Sequence, residues 1–376
     1  MKAIHIIGVL ILAIIIIGGA AVLVNQPSVT GNATQETIKI GALFPLTGDV
    51  AQLGIPASQA VELAVEEANA AGGVNGRKIE FVKEDGGCNP KDATSATTKL
   101  IEIDKVVAII GGFCSGETLA AAPIAERNRV ILFSPTSSNP KITEAGDFIF
   151  RSYPSDAFQG SYAADYVYNQ KNARNASILY INNDWGTGIK VTFRNKFEQL
   201  GGAIVSEDTF DQSTTDLRTQ LTKIKSLNPD FIYFPAHPAE TIIGLKQANE
   251  LGLPATLFFG GDGAEDGIVA DSLGSAGEGF MWVVPSTNPP QDFVEKFKSK
   301  TGKEPSLGVV QAYDNAKILT EIISRVGTDT EAIKNELYKI KDYSGVSGKI
   351  TIDSNGDLAN AEYQLRVIRN GNMENA

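Results

Sequence analysis

Histidine and cysteine are scarce in this chain. Among 376 residues there are two of each: His5, His237, Cys88 and Cys114. With one histidine beyond the first segment, no cysteine-histidine set at metal-ligand spacing can be built, so no metal or other cofactor is expected. A nucleophile elbow is also missing, and serines without a base in sight are not activated nucleophiles. These absences argue against an enzyme. Basic residues are outnumbered as well, 33 Lys and Arg against 44 Asp and Glu, for a net charge of −11. That balance argues against nucleic acid as a partner. No basic helix-turn-helix opens the chain, as a DNA-binding repressor would require.

What is present is ordinary globular material, 43% hydrophobic and 20% charged, long enough for two domains. The first segment differs. Lys2 precedes an almost unbroken apolar run from Ile4 to Val24, long enough to span a bilayer. Residues 1–24 read as a signal peptide or membrane anchor, to be left out of the fold. Gly18-Gly19-Ala20 could be a cleavage site, but no cysteine follows for a bacterial-type lipoprotein, and a retained anchor is favoured. Residues 25–37 form a polar linker without periodicity. Both cysteines lie in the exported part, where a disulfide is permitted; two unpaired thiols are the alternative.

The informative stretch is Val106 to Pro140. An apolar β-branched run, Val106–Ile110, exits through Gly111-Gly112 into a small polar loop, Cys114 to Glu117. An alanine-rich helical segment follows, in which Pro123 predicts a helix start or a kink. A second run, Val130–Phe133, exits into Ser134–Asn139. Consecutive strand exits of this kind mark a parallel sheet with crossover helices, whose ligands bind outside the carboxyl ends of the strands. Here those ends carry hydroxyls and backbone amides, suited to holding a carboxylate without reacting with it.

The same alternation occupies two blocks, Ile38–Arg151 and Ser177–Val284. The tail after Pro285 is too helical to stand alone, so the chain is expected to return to the first block. Two late strands, Gly348–Ile352 and Tyr363–Ile368, are expected to flank a turn at Asp353–Asp357. The predicted class is α/β, with two doubly wound Rossmann-like lobes around a central cleft.

Ten segments in register carry a family resemblance: GALFPLTGDVAQLG, NAAGGVNGRKIEFV, DGGCNPKDA, GGFCSGET, FSPTSSNP, NNDWGTG, NPDFIYFPA, FFGGDG, GEGF and AYDNAKIL. Together, over Ile38–Arg369, they resemble the type I periplasmic solute-binding proteins of ABC transporters, specifically the branched-chain amino acid (Leu/Ile/Val) group. The resemblance implies three crossovers between lobes, here 38–155 with 287–356 and 156–286 with 357–376. It implies closure on a ligand, delivery to a membrane permease, an extracytoplasmic location and a Cys88–Cys114 disulfide. It places the ligand carboxylate at Ser115 and Ser138, with Ser137 between the site residues, and the ammonium at Asp262 and the Thr136 carbonyl. Trp185, His237 and Leu53 would wall the side-chain pocket, and all three depart from the aromatic residues usual in the group. A carboxylate- or amide/urea-binding protein of the same fold, or a ligand sensor, is the alternative. Tyr313 and Asp314 could be packing alone. The triplets beginning at Asn32 and Asn175 match the glycosylation acceptor.

Overall fold

The computed structural model describes residues 37–376; the predicted signal or anchor and all but the last residue of the linker lie outside the described residues. Two sheets organise the chain. The first is wholly parallel, with β1 (Ile38–Phe44), β2 (Ile79–Asp85), β3 (Ala108–Gly111), β4 (Ile131–Ser134) and β5 (Ile149–Arg151) in the order β2-β1-β3-β4-β5. Its central strands are buried on both faces, which is why they read as unbroken apolar runs. The second sheet holds β6 (Asn175–Ile181), β7 (Ala203–Phe210), β8 (Phe231–Tyr233), β9 (Phe258–Gly260) and β10 (Met281–Pro285) in parallel. Two antiparallel strands, β11 (Tyr363–Arg369) and β12 (Asn372–Asn375), extend it beyond β10.

The chain passes between the sheets three times. After β10, the helices Gln291–Thr301, Val309–Val326 and Thr330–Leu337 return to the first core, where Phe293, Phe297, Ile318, Ile322 and Leu337 are buried beside Ile40 and Phe133. The long helix 309–326 has the one-sided apolar spacing that predicts it. Tyr313 donates to Glu67, and Asp314 accepts from the amides of Val346 and Ser347, so this pair serves packing.

Several expectations need correction. The late strands lie on either side of a turn at Asp353–Asp357 as expected, but the first is shorter and they belong to different sheets: Gly348–Ile350 pairs with Tyr343–Gly345 in a hairpin, whereas Tyr363–Arg369 joins the second sheet. Pro123 does not start a helix; it sits inside one that runs from Ser115 to Asn128. That helix starts earlier because Glu117 reaches back to accept from the Cys114 amide, completing a capping box. The Cys114–Glu117 loop is therefore a cap and first turn. Likewise helix Asp184–Gln199 begins before Trp185, because the Asn183 side chain caps the Gly186 amide. A helix at Asp156–Asn169 went unpredicted, since its alanines and tyrosines form no clean apolar stripe.

Candidate ligand-binding site

A cavity of about 460 Å³ opens at the carboxyl ends of strands from both sheets. Leu53, Ser115, Thr136, Ser138, Trp185, His237 and Asp262 all line it. Ser137 does not: its hydroxyl is turned to the Gly112 carbonyl at 2.6 Å and to Thr118 Oγ1 at 2.6 Å. The expected ligand residue is a structural tie, its hydroxyl outside the cavity lining and bonded within the protein.

The wall from the first sheet is held by neutral hydrogen bonds. The Gly112 carbonyl lies 2.9, 2.7 and 2.6 Å from the hydroxyls of Thr118, Ser134 and Ser137; Thr118 and Ser137 share their two protons between it and each other, and the cluster binds the exits of β3 and β4 together. Gly112 has φ +65°, and a Cβ there would lie 2.1 Å from Thr118 Oγ1, so only glycine fits. Ser115 Oγ accepts from the amides of Ser138 (3.3 Å) and Asn139 (3.2 Å), leaving its own proton to donate. Ser115 is the first residue of its helix, where free amides favour an anion. Thr136 Oγ1 donates to the Phe113 carbonyl at 2.6 Å; no donor among the described residues reaches the Thr136 carbonyl.

The Cys88–Cys114 disulfide, expected from the resemblance, is formed with a Cα–Cα distance of 5.4 Å and borders the cavity. Behind it Glu117, fully buried, accepts from the Cys88 and Cys114 amides at 3.0 and 2.9 Å. Burial pushes its carboxyl up to about 7, against the pull of those amides.

The wall from the second sheet is built from rings and acids. Trp185 and His237 stack with centroids 5.1 Å apart and planes 16° apart. Gly263 packs so close that a Cβ there would meet Trp185 Cη2 at 2.5 Å. His237 is 8% exposed, not a surface-loop histidine. Burial pushes its pKa down to about 4, with the Asp49 charge partly opposing, so the ring is neutral at pH 7. Its Nδ1 has no partner among the described residues. Asp262, 3% exposed, accepts from the Tyr153 hydroxyl at 2.6 Å, while its Oδ1 is unpartnered. Burial raises its carboxyl to about 6, opposed by the bonds from Tyr153 and Gln159.

Sequence reasoning missed three residues behind this wall. Asp156, fully buried, accepts from Ser138 Oγ at 2.8 Å; Gln159 Oε1 accepts from the Asp262 amide at 3.2 Å; Tyr153 reaches Asp262 from the first crossover. Their signal was the Ser155-Asp156 pair, a helix cap and first-turn acid. The Ser138 hydroxyl is thus committed to an acid, a departure from its expected role as a carboxylate donor. The walls touch: the Asn139 side-chain amide donates to the Asp184 carbonyl at 2.5 Å, and Ser213 donates to Asp49.

Comparison with known proteins agrees with this architecture. The model of the family described as "Periplasmic binding protein" matches residues 37–372. An "Amino acid binding protein" of Pseudomonas aeruginosa is 30% identical over 337 residues, covering 87% of this chain and 88% of its own. Among solved structures, a leucine-binding protein of Thermotoga maritima superposes with a TM-score of 0.83 at 32% identity, over 90% of this chain and 98% of that one. A branched-chain amino acid transporter substrate-binding protein of Streptococcus pneumoniae, solved with isoleucine, gives 0.81 at 30% identity over the same shares. With the two-sheet fold and the cavity between them, these matches place the chain in the periplasmic binding protein family, among the extracytoplasmic substrate-binding proteins of ABC transporters.

Proposed function

We propose that this cavity captures a free amino acid with an apolar or moderately polar side chain, for delivery to a membrane permease. The observation that carries the reading is Asp262 Oδ1, a buried carboxylate oxygen on the cavity wall without a partner among the described residues. A buried acid in that state is costly unless a cation completes it. The ammonium would lie between Asp262 and the Thr136 carbonyl. Ser138 joins that end, since a hydroxyl donating to Asp156 keeps a lone pair to accept with. The carboxylate would meet the Ser115 hydroxyl and the amides opening its helix. Leu53 and the Trp185–His237 stack would enclose the side chain.

The lobes of this reading are 38–155 with 287–356 and 156–286 with 357–376, closing about the crossovers at 153–157, 285–289 and 355–360. Small-angle scattering should show compaction with saturating ligand, and an unchanged radius would count against closure. The N-terminal run would tether the protein to the membrane; fractionation of cells producing the full chain tests that.

Calorimetry with the twenty amino acids and with 4-methylpentanoate decides the ligand class. Removing one partner of a buried ion pair costs about 3–5 kcal/mol. Asp262→Asn should therefore weaken amino-acid binding by at least about a hundredfold. Tight binding of 4-methylpentanoate that survives Asp262→Asn would sink the amino-acid reading and leave the solute-binding role standing.

A further inference from the structure

The ammonium end holds one acid more than a single ammonium needs. Asp156 and Asp262 are both buried, and each keeps Oδ1 without a partner among the described residues. They are joined through the cavity lining: Ser138 Oγ donates to Asp156 Oδ2, and Gln159, one turn beyond Asp156, accepts from the Asp262 amide.

Among the described residues, the cations nearest the pair are all engaged elsewhere. The neighbouring guanidinium, Arg151, is spent on Asp357 at 2.7 and 2.6 Å, on the Asn139 carbonyl and on Thr143. On the helix packed against that of Asp156, Lys190 and Arg194 pair with Glu207, and Lys196 with Asp165. Arg366 pairs with Glu265. The remaining titratable groups facing the pair, Tyr153, Tyr233 and Tyr363, are hydroxyls whose ionisation burial makes harder still. Two neighbouring buried carboxyls in such a place cannot both be charged. In keeping with this, burial and the Asp262 charge hold the Asp156 carboxyl well above the usual range, outweighing Ser138 and Arg151.

We propose that Asp156 and Asp262 form a single acid pair that holds one proton while the cavity is empty, and that the ligand's ammonium takes the place of that proton. The inference rests on the amino-acid reading above. Charge balances: the pair with its proton carries one negative charge, and the deprotonated pair with an ammonium carries one as well. The proton leaves to solvent as the ammonium enters, so the buried site never holds two uncompensated charges. Asp156 acts here as a positioning residue, through Ser138 and through its partner acid. The protein would then favour amines over neutral isosteres twice: by attraction, and because an amine-free ligand leaves the proton in place.

The test is calorimetry of the wild-type protein with its tightest-binding amino acid, at pH 6.5, in buffers of different ionisation enthalpy. The slope of observed enthalpy against buffer enthalpy counts protons. Release of about one proton per ligand is expected, with Kd rising up to about tenfold per unit as pH falls from 7 to 5.5. Asp156→Asn should cut the release to the fraction of a proton that Asp262 alone gives with its carboxyl at about 6, and confine the pH dependence to below about pH 6; this arm also separates the pair from Glu117, which would still titrate. Tight binding with no proton released by the wild type, or release undiminished in Asp156→Asn, overturns the proposal and leaves the amino-acid reading intact. If Asp156→Asn does not fold, the wild-type slope decides alone. Failure of every amino acid to bind overturns both.

Discussion

The two walls of the cleft solve different problems. On the first, the side chains of Ser115, Thr136, Ser137 and Ser138 all have protein partners before any ligand arrives. On the second, His237 Nδ1, Asp262 Oδ1 and, behind them, Asp156 Oδ1 have none. The first wall is a preformed neutral mould, which costs little to rearrange on binding. The second stores unmet polar capacity, which an apolar interior makes expensive and a matching ligand relieves. A binding protein that must also release its cargo gains from this division. Shape is set on one wall, and unmet polar capacity is held on the other.

Beyond the Asp262→Asn contrast, four measurements break or sharpen this comparison. The largest effect is expected on the first wall. Replacing Cys88 and Cys114 by alanine frees a loop with a sequence separation of 26, worth about 3.5 kcal/mol of stability in denaturant unfolding. A loss below about 1 kcal/mol would mean that Glu117 alone holds the loops.

The next test sets the walls against each other in pH. His237 is depressed from 6.5 to about 4, so it contributes stability above pH 6.5 that is lost as pH falls towards 4, about 3 kcal/mol in all. Glu117 is raised from 4.5 to about 7, so its contribution is present below pH 4.5 and lost as pH rises through 7, by a similar amount of about 3 kcal/mol. Wild type minus His237→Gln and wild type minus Glu117→Gln should therefore slope in opposite directions between pH 4 and 7. Parallel slopes would refute the assignment of one neutral base and one buried acid.

Ser115→Ala should weaken amino-acid binding by about tenfold or somewhat more, the worth of a hydrogen bond to a charged group. Equality with Asp262→Asn would erase the contrast between mould and charge. Smallest is Ser137→Ala, expected to cost about 1 kcal/mol of stability with little change in affinity, because its hydroxyl serves Gly112 and not the cavity. A large loss of affinity at unchanged stability would restore Ser137 to the ligand.

Much of this was open to reading from the residues. Apolar strands ending in Gly, Ser and Thr, as at Ile110–Gly112 and Phe133–Ser138, are local patterns, and local chemistry produces them. So the α/β class, the alternation in two blocks and the positions of Ser115, Thr136 and Ser138 at strand ends follow from neighbours in sequence. The family motifs added the Cys88–Cys114 pairing, which spacing alone left open. Cap positions were harder. Ser115 to Glu117 read as a loop because a side-chain cap, not propensity, sets where their helix begins.

What only the tertiary structure decided is how distant polar groups share partners. A hydroxyl reads alike whether it lines the cavity, as that of Ser115 does, or meets a carbonyl 25 residues away, as that of Ser137 does. Asp156 in a helix first turn reads as a capping acid; its burial against Ser138 and beside Asp262 depends on two sheets meeting. The sequence determines which groups each strand end offers, because that is set by a few adjacent residues. Which of them are satisfied and which are left wanting is a property of the space between the lobes, where hydrogen bonding and desolvation depend on contacts made across more than a hundred residues of chain, such as Tyr153 to Asp262.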